Sequence, residues 1–435
     1  LKDVDKSQFT PMIQQYIDCK ENYPDAIVFY RIGDFYEMFF EDAYIASREL
    51  EIALTGKDAG YKERVPMCGI PFHAYAGYAE KLISRGYKVA IVEQVEDPSQ
   101  AKGLVKRDVV KIITPGTITE GGLNEKENNF LAAIYEHSDH FSLAYADVST
   151  GQMYLTSVED EDSLANEILS LHAKELICVS SLKLKALNTL HDNYQIVISR
   201  MDDTSLIDDY KYLLENLDLE KFEEDIPCIS ILINYISKTQ RHNLFHLQPV
   251  KFYSSSQVLH LDPFSKRNLE LTETIRQNQK SGSLLWLLDK CQTAMGSRKL
   301  HTWIDRPLID RNEIIKRHNY VEALINNYVA KEEIKESLKT VYDLERIIGR
   351  ISVGNANAKD LVQLRRSLAN IPNFKKNVMA LGTDDAISFA NDIDAHEKLY
   401  ELLDRALVDD PPLQIKEGGM IKPLYNKDLD ELKDI

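Results

Sequence analysis

The sequence predicts a multidomain protein in which mixed α/β structure is followed by an all-α region. The 435 residues correspond to two to four domains of ordinary size, and a hydrophobic content of 44% is enough to give each domain a core. Up to about Asp225, apolar runs of strand length alternate with stretches of helical periodicity. Beyond Asp225, almost every stretch has helical periodicity, so we predict an all-α domain there.

Composition limits the classes of function. The chain has 69 acidic and 52 basic residues, a formal net charge of -17, which argues against a uniformly basic surface for polyanions. Any contact with nucleic acid must therefore be local. The five cysteines are widely separated and form no C-x-x-C pair, so neither a disulfide framework nor a zinc site is predicted from them. The chain shows no apolar signal segment and no run of 18 apolar residues, and we expect a cytoplasmic protein.

Residues 1–116 are predicted to form the first mixed α/β domain. Thr10-Pro11 is a good helix start, and the apolar run from Ala26 to Tyr30 is typical of a strand. We interpret Gly33-Asp34 as a corner between this strand and a helix that continues to about Leu54. This interpretation places Phe35 and Glu37 at a helix N-terminus, and it leaves the neighbouring aromatics Phe29, Phe39 and Phe40 in the core.

The segment Gly33-Asp34-Phe35-Tyr36-Glu37, followed after Met38 by Phe-Phe-Glu-Asp-Ala, resembles the mismatch-recognition motif of the bacterial MutS family of DNA mismatch-repair sensors. Three further segments resemble the same family: Val65–His73, Glu93–Pro98 and Thr114–Thr117. The resemblance implies that Phe35 is wedged into the DNA stack at a mispair and that Glu37 hydrogen-bonds a displaced base. The implied partner is double-stranded DNA with mispairs or small unpaired loops.

A wedge of this kind recognises deformability more than base sequence. Unstacking costs roughly a few kcal/mol, and the cost is lower where the base pair is already mismatched. The run from Lys102 to Lys111 has four cationic residues in ten, a pattern that on its own is most often a solvated loop. Since the equivalent loops of the family touch DNA phosphates, the resemblance makes Lys57 and Arg107 candidate backbone contacts.

Residues 117–225 are predicted to form a second α/β domain. Three consecutive strands are expected at Leu131–His137, Phe141–Asp147 and Gln152–Val158, followed by a helix at Ser163–Leu171 and a strand at Glu175–Val179. Another helix and a strand ending near Ile198 complete the pattern. This order resembles the ribonuclease-H-like connector domain of the family, which implies docking of a MutL-type repair partner.

Asp147 supports an alternative from a different class, a metal-dependent nuclease built on the ribonuclease-H-like domain. An aspartate on the first strands of that fold binds divalent metal in nucleases, but two-metal cleavage needs several convergent carboxylates. The neighbouring strands offer no obvious second acid, so we favour a turn-capping role for Asp147 in the run to Gly151.

Residues 226–435 are predicted to form the helical core or lever domain, beginning with a buried helix from Ile226 to Thr239. Its segments Met-Gly-Ser-Arg (295–298), Arg-Pro-Leu (306–308) and Asp-Leu-Glu-Arg (343–346) also resemble the family. Long helices are expected at Arg311–Asn327, Ala330–Ile351, Ala358–Asn370 and Ile393–Leu407. Glu345 and Arg346 are interpreted as a surface ion pair, with no catalytic role.

The chain contains no phosphate-binding loop of the type G-x-x-x-x-G-K-[ST]. Its only Gly-Lys pair, Gly56-Lys57, is followed by Asp58 and lacks the preceding glycine. We therefore expect no enzyme activity, cofactor or metal in this chain. The resemblance implies that it stops before the clamp, and that the ATPase domain with its ATP and Mg²⁺, and the main homodimer contacts, lie beyond it. A further alternative is a connector and lever interaction module without independent DNA binding.

Overall fold

The computed structural model describes residues 6–61, 63–96, 105–119, 121–254, 258–259, 261–277, 279–413 and 415–434. The start of the basic run, 102–104, and the end of the Glu93–Pro98 segment lie outside these residues. The chain divides into two compact units, one of residues 1–123 with 129–252 and one of residues 124–128 with 253–435. In the described part of the chain, no helix is long and apolar enough to span a membrane.

The first unit begins with a six-stranded mixed sheet in the order β3-β4-β2-β1-β5-β6. Strands β1 and β5 run parallel, and the other neighbours run antiparallel. The elements are α1 (Pro11–Asn22), β1 (Ala26–Ile32), β2 (Phe35–Phe39), α2 (Phe40–Leu50), β3 (Thr55–Lys57), β4 (Val65–Pro71), α3 (Tyr75–Ile83), β5 (Lys88–Gln94) and β6 (Arg107–Ile113).

The predicted helix N-terminus at Phe35 and Glu37 is wrong, because both residues lie in strand β2. Ile32 pairs with Phe35, so Gly33 and Asp34 form a two-residue hairpin connection between β1 and β2. Gly33 has a φ of 56°, which glycine adopts at little cost at the first position of a hairpin turn. The helix begins only at Phe40, since strand β4 pairs with β2 along its whole length.

The two faces of this sheet carry separate cores because successive side chains of β1 alternate between them. Val28 and Tyr30 pack against α1, whereas Ile27 and Phe29 pack against α2 and α3. Asp42, which is 2% exposed, fixes α1 to this arrangement. Its carboxylate accepts hydrogen bonds from the Tyr16 hydroxyl at 2.7 Å and from the Val28 N–H at 2.9 Å, and pairs with Lys20 at 2.8 Å.

The second sheet of this unit has six strands in the order β11-β10-β7-β8-β9-β12. Strands β7, β8 and β9 form an antiparallel meander, while β10 lies parallel to β7 and β11 lies parallel to β10. The elements are β7 (Leu131–Glu136), β8 (Phe141–Asp147), β9 (Gln152–Val158), α4 (Glu161–Ser170), β10 (Glu175–Cys178), α5 (Lys185–Tyr194), β11 (Val197–Arg200), α6 (Leu219–Phe222), α7 (Ile226–Gln240) and β12 (Lys251–Phe252). The order of strands and helices predicted between 131 and 200 is confirmed.

Helix α7 begins where the sequence prediction opened the third domain, and it packs against this second sheet. Ile229, Leu232, Ile233 and Ile236 are fully buried in one core with Leu131, Ala144 and other residues of the meander. The expectation that this stretch forms a buried helix is confirmed.

A buried carboxylate joins the segment that follows β6 to the second sheet. Glu175 is 0% exposed and accepts hydrogen bonds from Thr114 Oγ1 at 2.5 Å and from the Gly116 N–H at 3.0 Å. On the sheet side it accepts from Ser199 Oγ and from the Tyr235 hydroxyl, both at 2.5 Å. These four hydrogen bonds compensate for the cost of burying the Glu175 carboxylate.

The second unit is helical. Its helices are α8 (Pro263–Asn268), α9 (Leu284–Leu288), α10 (Ala294–Asp305), α11 (Arg311–Asn326), α12 (Tyr328–Leu338), α13 (Leu344–Ser352), α14 (Ala358–Met379), α15 (Asp384–Asp392), α16 (Glu397–Ala406) and α17 (Lys427–Lys433). The long α14 continues past Pro372 and shares an apolar core with α13 and α16.

Two predictions for this unit are wrong. The single helix expected at Ala330–Ile351 is two helices, because Asp343 caps α13 by accepting from the Arg346 N–H at 3.3 Å. Glu345 and Arg346 do not form a surface ion pair. Arg346 is 5% exposed and donates to the carbonyls of Asn124 and Glu127, while Glu345 pairs with the buried Arg298 at 2.7 Å.

Candidate functional site

The four site residues named from the sequence lie on one face of the first sheet. Residues paired across strands share a face, and Phe35 and Glu37 alternate with the buried Tyr36 along β2. The registers through β4 and through β1 and β5 place Lys57 and Arg107 on that same face. The structure therefore places on one face of a sheet residues that are 72 positions apart in the chain, counting from Phe35 to Arg107.

Exposure on this face rises towards the β1–β2 hairpin. Phe39 is fully buried beneath α1, the Glu37 side chain is 15% exposed, and Phe35 is 49% exposed. Helix α1 covers the far end of the strand and leaves Phe35 uncovered beside the turn. A large aromatic ring half exposed on a paired strand is available to a partner, and among the described Phe and Tyr residues around the first sheet only Tyr44 and Tyr61 are exposed to a similar degree.

Glu37 and Lys57 form an ion pair, with 2.5 Å between Lys57 Nζ and Glu37 Oε2. The two side chains are 15% and 28% exposed, and the Lys57 ammonium also lies 5.6 Å from the centre of the Phe39 ring. The pair places one negative and one positive group next to Phe35 with no net charge between them.

The opposite face of β2 is held by contacts that the sequence reasoning missed. The Tyr36 hydroxyl donates to Glu93, and Arg31 stacks on the Phe72 ring with 3.7 Å between the guanidinium carbon and the ring centre. Burial, followed by the hydrogen bond to Glu93, raises the pKa of Tyr36 well above its usual value. Phe72 also donates its N–H to the Asp34 carbonyl at 3.0 Å, which ties the turn to the end of β4.

Arg107 lies at the start of β6 with its guanidinium partly used inside the fold. Nε donates to the Arg31 carbonyl at 2.9 Å and Nη1 donates to the Val105 carbonyl at 3.1 Å. The guanidinium also lies over Tyr30, whose pKa is raised to about 12 by burial. Arg107 therefore supports the β1–β2 hairpin from the β6 edge of the sheet, whereas Lys57 lies on β3 at the other edge.

Asp147 is fully buried and serves as a turn-capping residue. Its carboxylate accepts from Ser149 N–H at 3.0 Å, from Ser149 Oγ at 2.6 Å and from the Asn129 N–H at 3.1 Å. Among the described residues, only His137, His140 and Asp225 form a group of three side chains close enough to share a metal ion, and Asp147 is not one of them. The nuclease alternative is therefore not favoured.

Comparison with known proteins finds the same family in three consecutive parts of the chain. Family models match residues 10–122 (MutS domain I), 129–248 (MutS domain II) and 265–434 (MutS domain III). The chain is 47% identical over 428 residues to the DNA mismatch repair protein MutS of Geobacillus sp. (strain WCH70), covering 98% of this chain and 49% of that protein.

Other relatives give similar values. The chain is 48% identical over 429 residues to the DNA mismatch repair protein MutS of Bacillus pumilus (strain SAFR-032), covering 98% of this chain and 49% of the relative. The corresponding protein of Geobacillus kaustophilus (strain HTA426) is 47% identical over 425 residues, with 97% and 47% covered. The chain thus spans about half the length of the curated relatives that it matches.

Proposed function

Because this chain belongs to the MutS family, we propose that it recognises mispaired or unpaired bases in duplex DNA and acts in mismatch repair. The observation that carries the proposal is the position of Phe35, a half-exposed aromatic ring on a strand paired on both sides, directly beside a carboxylate. The family supports the mismatch-repair role, and the geometry of the first sheet supports the roles of its individual residues.

Phe35 acts in this proposal as an apolar wedge. Insertion of a side chain between base steps costs roughly a few kcal/mol of unstacking, and a mispaired step requires less of it. The pairing of β2 with β1 and β4 supports a wedge of this kind, because a ring on a fixed strand loses little conformational freedom on insertion.

Glu37 acts as a hydrogen-bond acceptor for a base displaced by the wedge. DNA phosphates repel a nearby carboxylate on any duplex. This unfavourable free energy is offset only where a displaced base donates a hydrogen bond to the carboxylate, so Glu37 increases the difference in affinity between mispaired and matched DNA. The ion pair with Lys57 supports this role by lessening the repulsion. Lys57 and Arg107, on the same face of the sheet, are proposed as contacts to phosphates that position the duplex without reading its sequence.

The remaining properties of the whole protein are also proposals. The strand order of the second sheet supports a ribonuclease-H-like connector, which would dock a MutL-type partner. An ATP-driven switch with bound Mg²⁺, and the main homodimer contacts, would belong to the half of the relatives that this chain does not span.

Fluorescence-anisotropy titration against a matched duplex and the same duplex with one G·T mispair tests the proposal. Phe35→Ala should remove the mispair preference, a loss of roughly tenfold, since aromatic stacking on a base contributes about 1–3 kcal/mol. Weak binding to matched DNA and the circular dichroism spectrum should stay unchanged. Phe245→Ala is the matched control, because Phe245 is 72% exposed and lies outside the first sheet.

Two results would contradict the proposal. Equal mispair preference in Phe35→Ala and the parent would remove the wedge role. If the parent binds neither duplex, the chain does not recognise mispairs by itself, and the alternative of a connector and lever interaction module would be favoured.

A further inference from the structure

Two histidines close the hairpin between β7 and β8. The His137 N–H donates to the His140 carbonyl at 2.9 Å, so Ser138 and Asp139 form the turn between them. The two imidazole rings lie on the same side of the hairpin and stack, with centroids 4.3 Å apart and an angle of 11° between the planes. This geometry presents two ring nitrogens in one direction.

The start of helix α7 places a carboxylate in front of these rings. Asp225, the residue before α7, is 7% exposed, and its Oδ1 accepts a hydrogen bond from Ser142 Oγ at 2.5 Å. His140 Nε2 lies 3.9 Å from Asp225 Oδ1, and His137 Nε2 lies 2.6 Å from Ser142 Oγ. One ligand atom from each of His137, His140 and Asp225 falls within 4.8 Å of the other two.

We propose that His137, His140 and Asp225 form a binding site for a divalent transition-metal ion, with Zn²⁺ the best chemical match. Two imidazole nitrogens and one carboxylate oxygen, with water in a fourth position, are a common donor set for zinc. Ligand atoms about 2.0–2.2 Å from a tetrahedral ion are roughly 3.4 Å from one another. The three side chains therefore need to close by about an ångström, which side-chain rotation can supply.

The partner of His140 favours this reading over a structural histidine pair. Asp139 Oδ1 lies 2.8 Å from His140 Nδ1, and a carboxylate can only accept, so Nδ1 carries the proton. This tautomer leaves a lone pair on Nε2, the nitrogen nearer to Asp225. A carboxylate behind a ligating histidine is the usual arrangement at protein zinc sites, where it orients the ring and raises its basicity.

His137 must change its hydrogen bond when an ion binds. The Ser142 hydroxyl has one hydrogen and donates it to Asp225, so His137 Nε2 carries a proton and donates to Ser142 Oγ. Binding to the ion through Nε2 moves this proton to Nδ1 and displaces the serine hydroxyl.

A surface pocket gives the ion a route to this site. The pocket has a volume of about 470 Å³ and is lined by both His140 and Asp225. Its charged lining is mostly acidic, with one lysine among four carboxylates: Asp139, Glu159, Lys221, Glu224 and Asp225. This lining attracts a cation and leaves room for a water ligand. A bound ion would tie the β7–β8 turn to the residue that precedes α7.

Titration with Zn²⁺ alone, after removal of metals with a chelator, tests the proposal by isothermal calorimetry at pH 7. The parent should bind one equivalent, and His140→Ala and Asp225→Asn should each bind at least tenfold more weakly. Asp139→Asn should lose roughly tenfold to a hundredfold, the usual effect of removing a partner of a ligating histidine. His318→Ala is the matched control, since His318 is exposed on α11 and should leave the affinity unchanged.

A second readout does not depend on variants that fold well. Co²⁺ bound by this donor set should give the strong visible absorption of a tetrahedral site in the parent, and excess Zn²⁺ should remove that absorption and raise the melting temperature. The proposal is overturned if the parent binds no stoichiometric Zn²⁺, if the Co²⁺ spectrum is that of hydrated octahedral ion, or if His318→Ala weakens binding as much as His140→Ala.

Discussion

Replacing Glu37 with glutamine removes one negative charge beside Phe35 and leaves the shape of the side chain. In the parent, Glu37 neutralises Lys57 across 2.5 Å, so the pair offers no net charge to a phosphate. In Glu37→Gln, the Lys57 ammonium is no longer neutralised, so its proposed phosphate contact counts as one additional neutralised phosphate. We therefore expect tighter binding to matched duplex DNA.

The salt dependence gives the magnitude of this gain. One additional phosphate contact steepens the slope of log K against log salt concentration by about 0.9, so a fourfold rise in salt should weaken the variant by about a further 3.5-fold relative to the parent. On mispaired DNA the amide Oε1 of the variant can still accept from a base, but the acceptor has lost its charge, and a hydrogen bond to a charged acceptor is stronger by about 1–1.5 kcal/mol. The ratio of mispair to matched affinity should therefore fall by roughly fivefold to tenfold.

Anisotropy titrations of both duplexes over a fourfold range of salt measure the slope and the ratio together. Glu41→Gln is the matched control, because it makes the same change of charge at an exposed position in the first turn of α2. Lys57→Gln should weaken matched binding, and the double variant should return close to the parent, since the two charges are coupled. If Glu37→Gln and Glu41→Gln give the same slope and the same ratio, the reasoning is refuted.

Three further predictions concern the scaffold of the site. Gly33→Ala should lower the free energy of unfolding by about 1 kcal/mol because of the positive φ at that position, whereas the control Gly77→Ala, at an exposed site inside helix α3, should raise it slightly. Urea denaturation measures both changes. A stabilised Gly33→Ala would contradict the turn assignment. Burial and Glu175 raise the pKa of Tyr235, so the folded state keeps this proton at a pH where the unfolded state has lost it. The contribution of Tyr235 to the free energy of unfolding should therefore be constant below about pH 10 and fall as the pH rises above that value. Tyr235→Phe should flatten this fall in denaturation curves measured at a series of pH values. Asp147→Asn should lower the free energy of unfolding by about 1–3 kcal/mol, because it disturbs the buried turn. Neither the parent nor this variant should cleave DNA in the presence of Mg²⁺. Cleavage by the parent that the variant loses would restore the nuclease alternative.

The meander of the second sheet could be predicted closely from the sequence, because its signals are local. The runs at Leu131, Phe141 and Gln152 have strand length and are separated by short turns, and the structure places strands in all three. The parallel pairing of β10 with β7 is a contact between distant residues, so the periodicity of either run alone does not contain it.

The corner at Gly33-Asp34 shows where local reasoning fails. The run from Phe35 to Phe40 is apolar enough to begin a helix or to form a strand, and glycine suits both kinds of turn. The choice is made by β4, which pairs with β2 from Phe35 to Phe39 and comes from a segment about thirty residues later. The sequence located the candidate recognition residues, while their conformation depended on that later strand.

The ion pair between Glu37 and Lys57 illustrates a similar limit for the site. The resemblance predicts separate roles for the two residues, a contact to a base for Glu37 and a contact to a phosphate for Lys57. Their pairing depends on the register of β3 against β4 and of β4 against β2, which a single sequence does not specify. The structure therefore adds a mutual dependence between two residues that sequence reasoning treated as independent.

The four donors around Glu175 have a consequence for how this part of the chain can be divided. Separating the two sheets would take two partners from this buried carboxylate, the Thr114 hydroxyl and the Gly116 N–H, so we expect the unfolding of one sheet to destabilise the other. A calorimetric scan should show them unfolding together as one cooperative block. Exchange of the first domain between distant relatives by recombination would have to preserve both halves of this junction, which makes it a poor place for an evolutionary crossover.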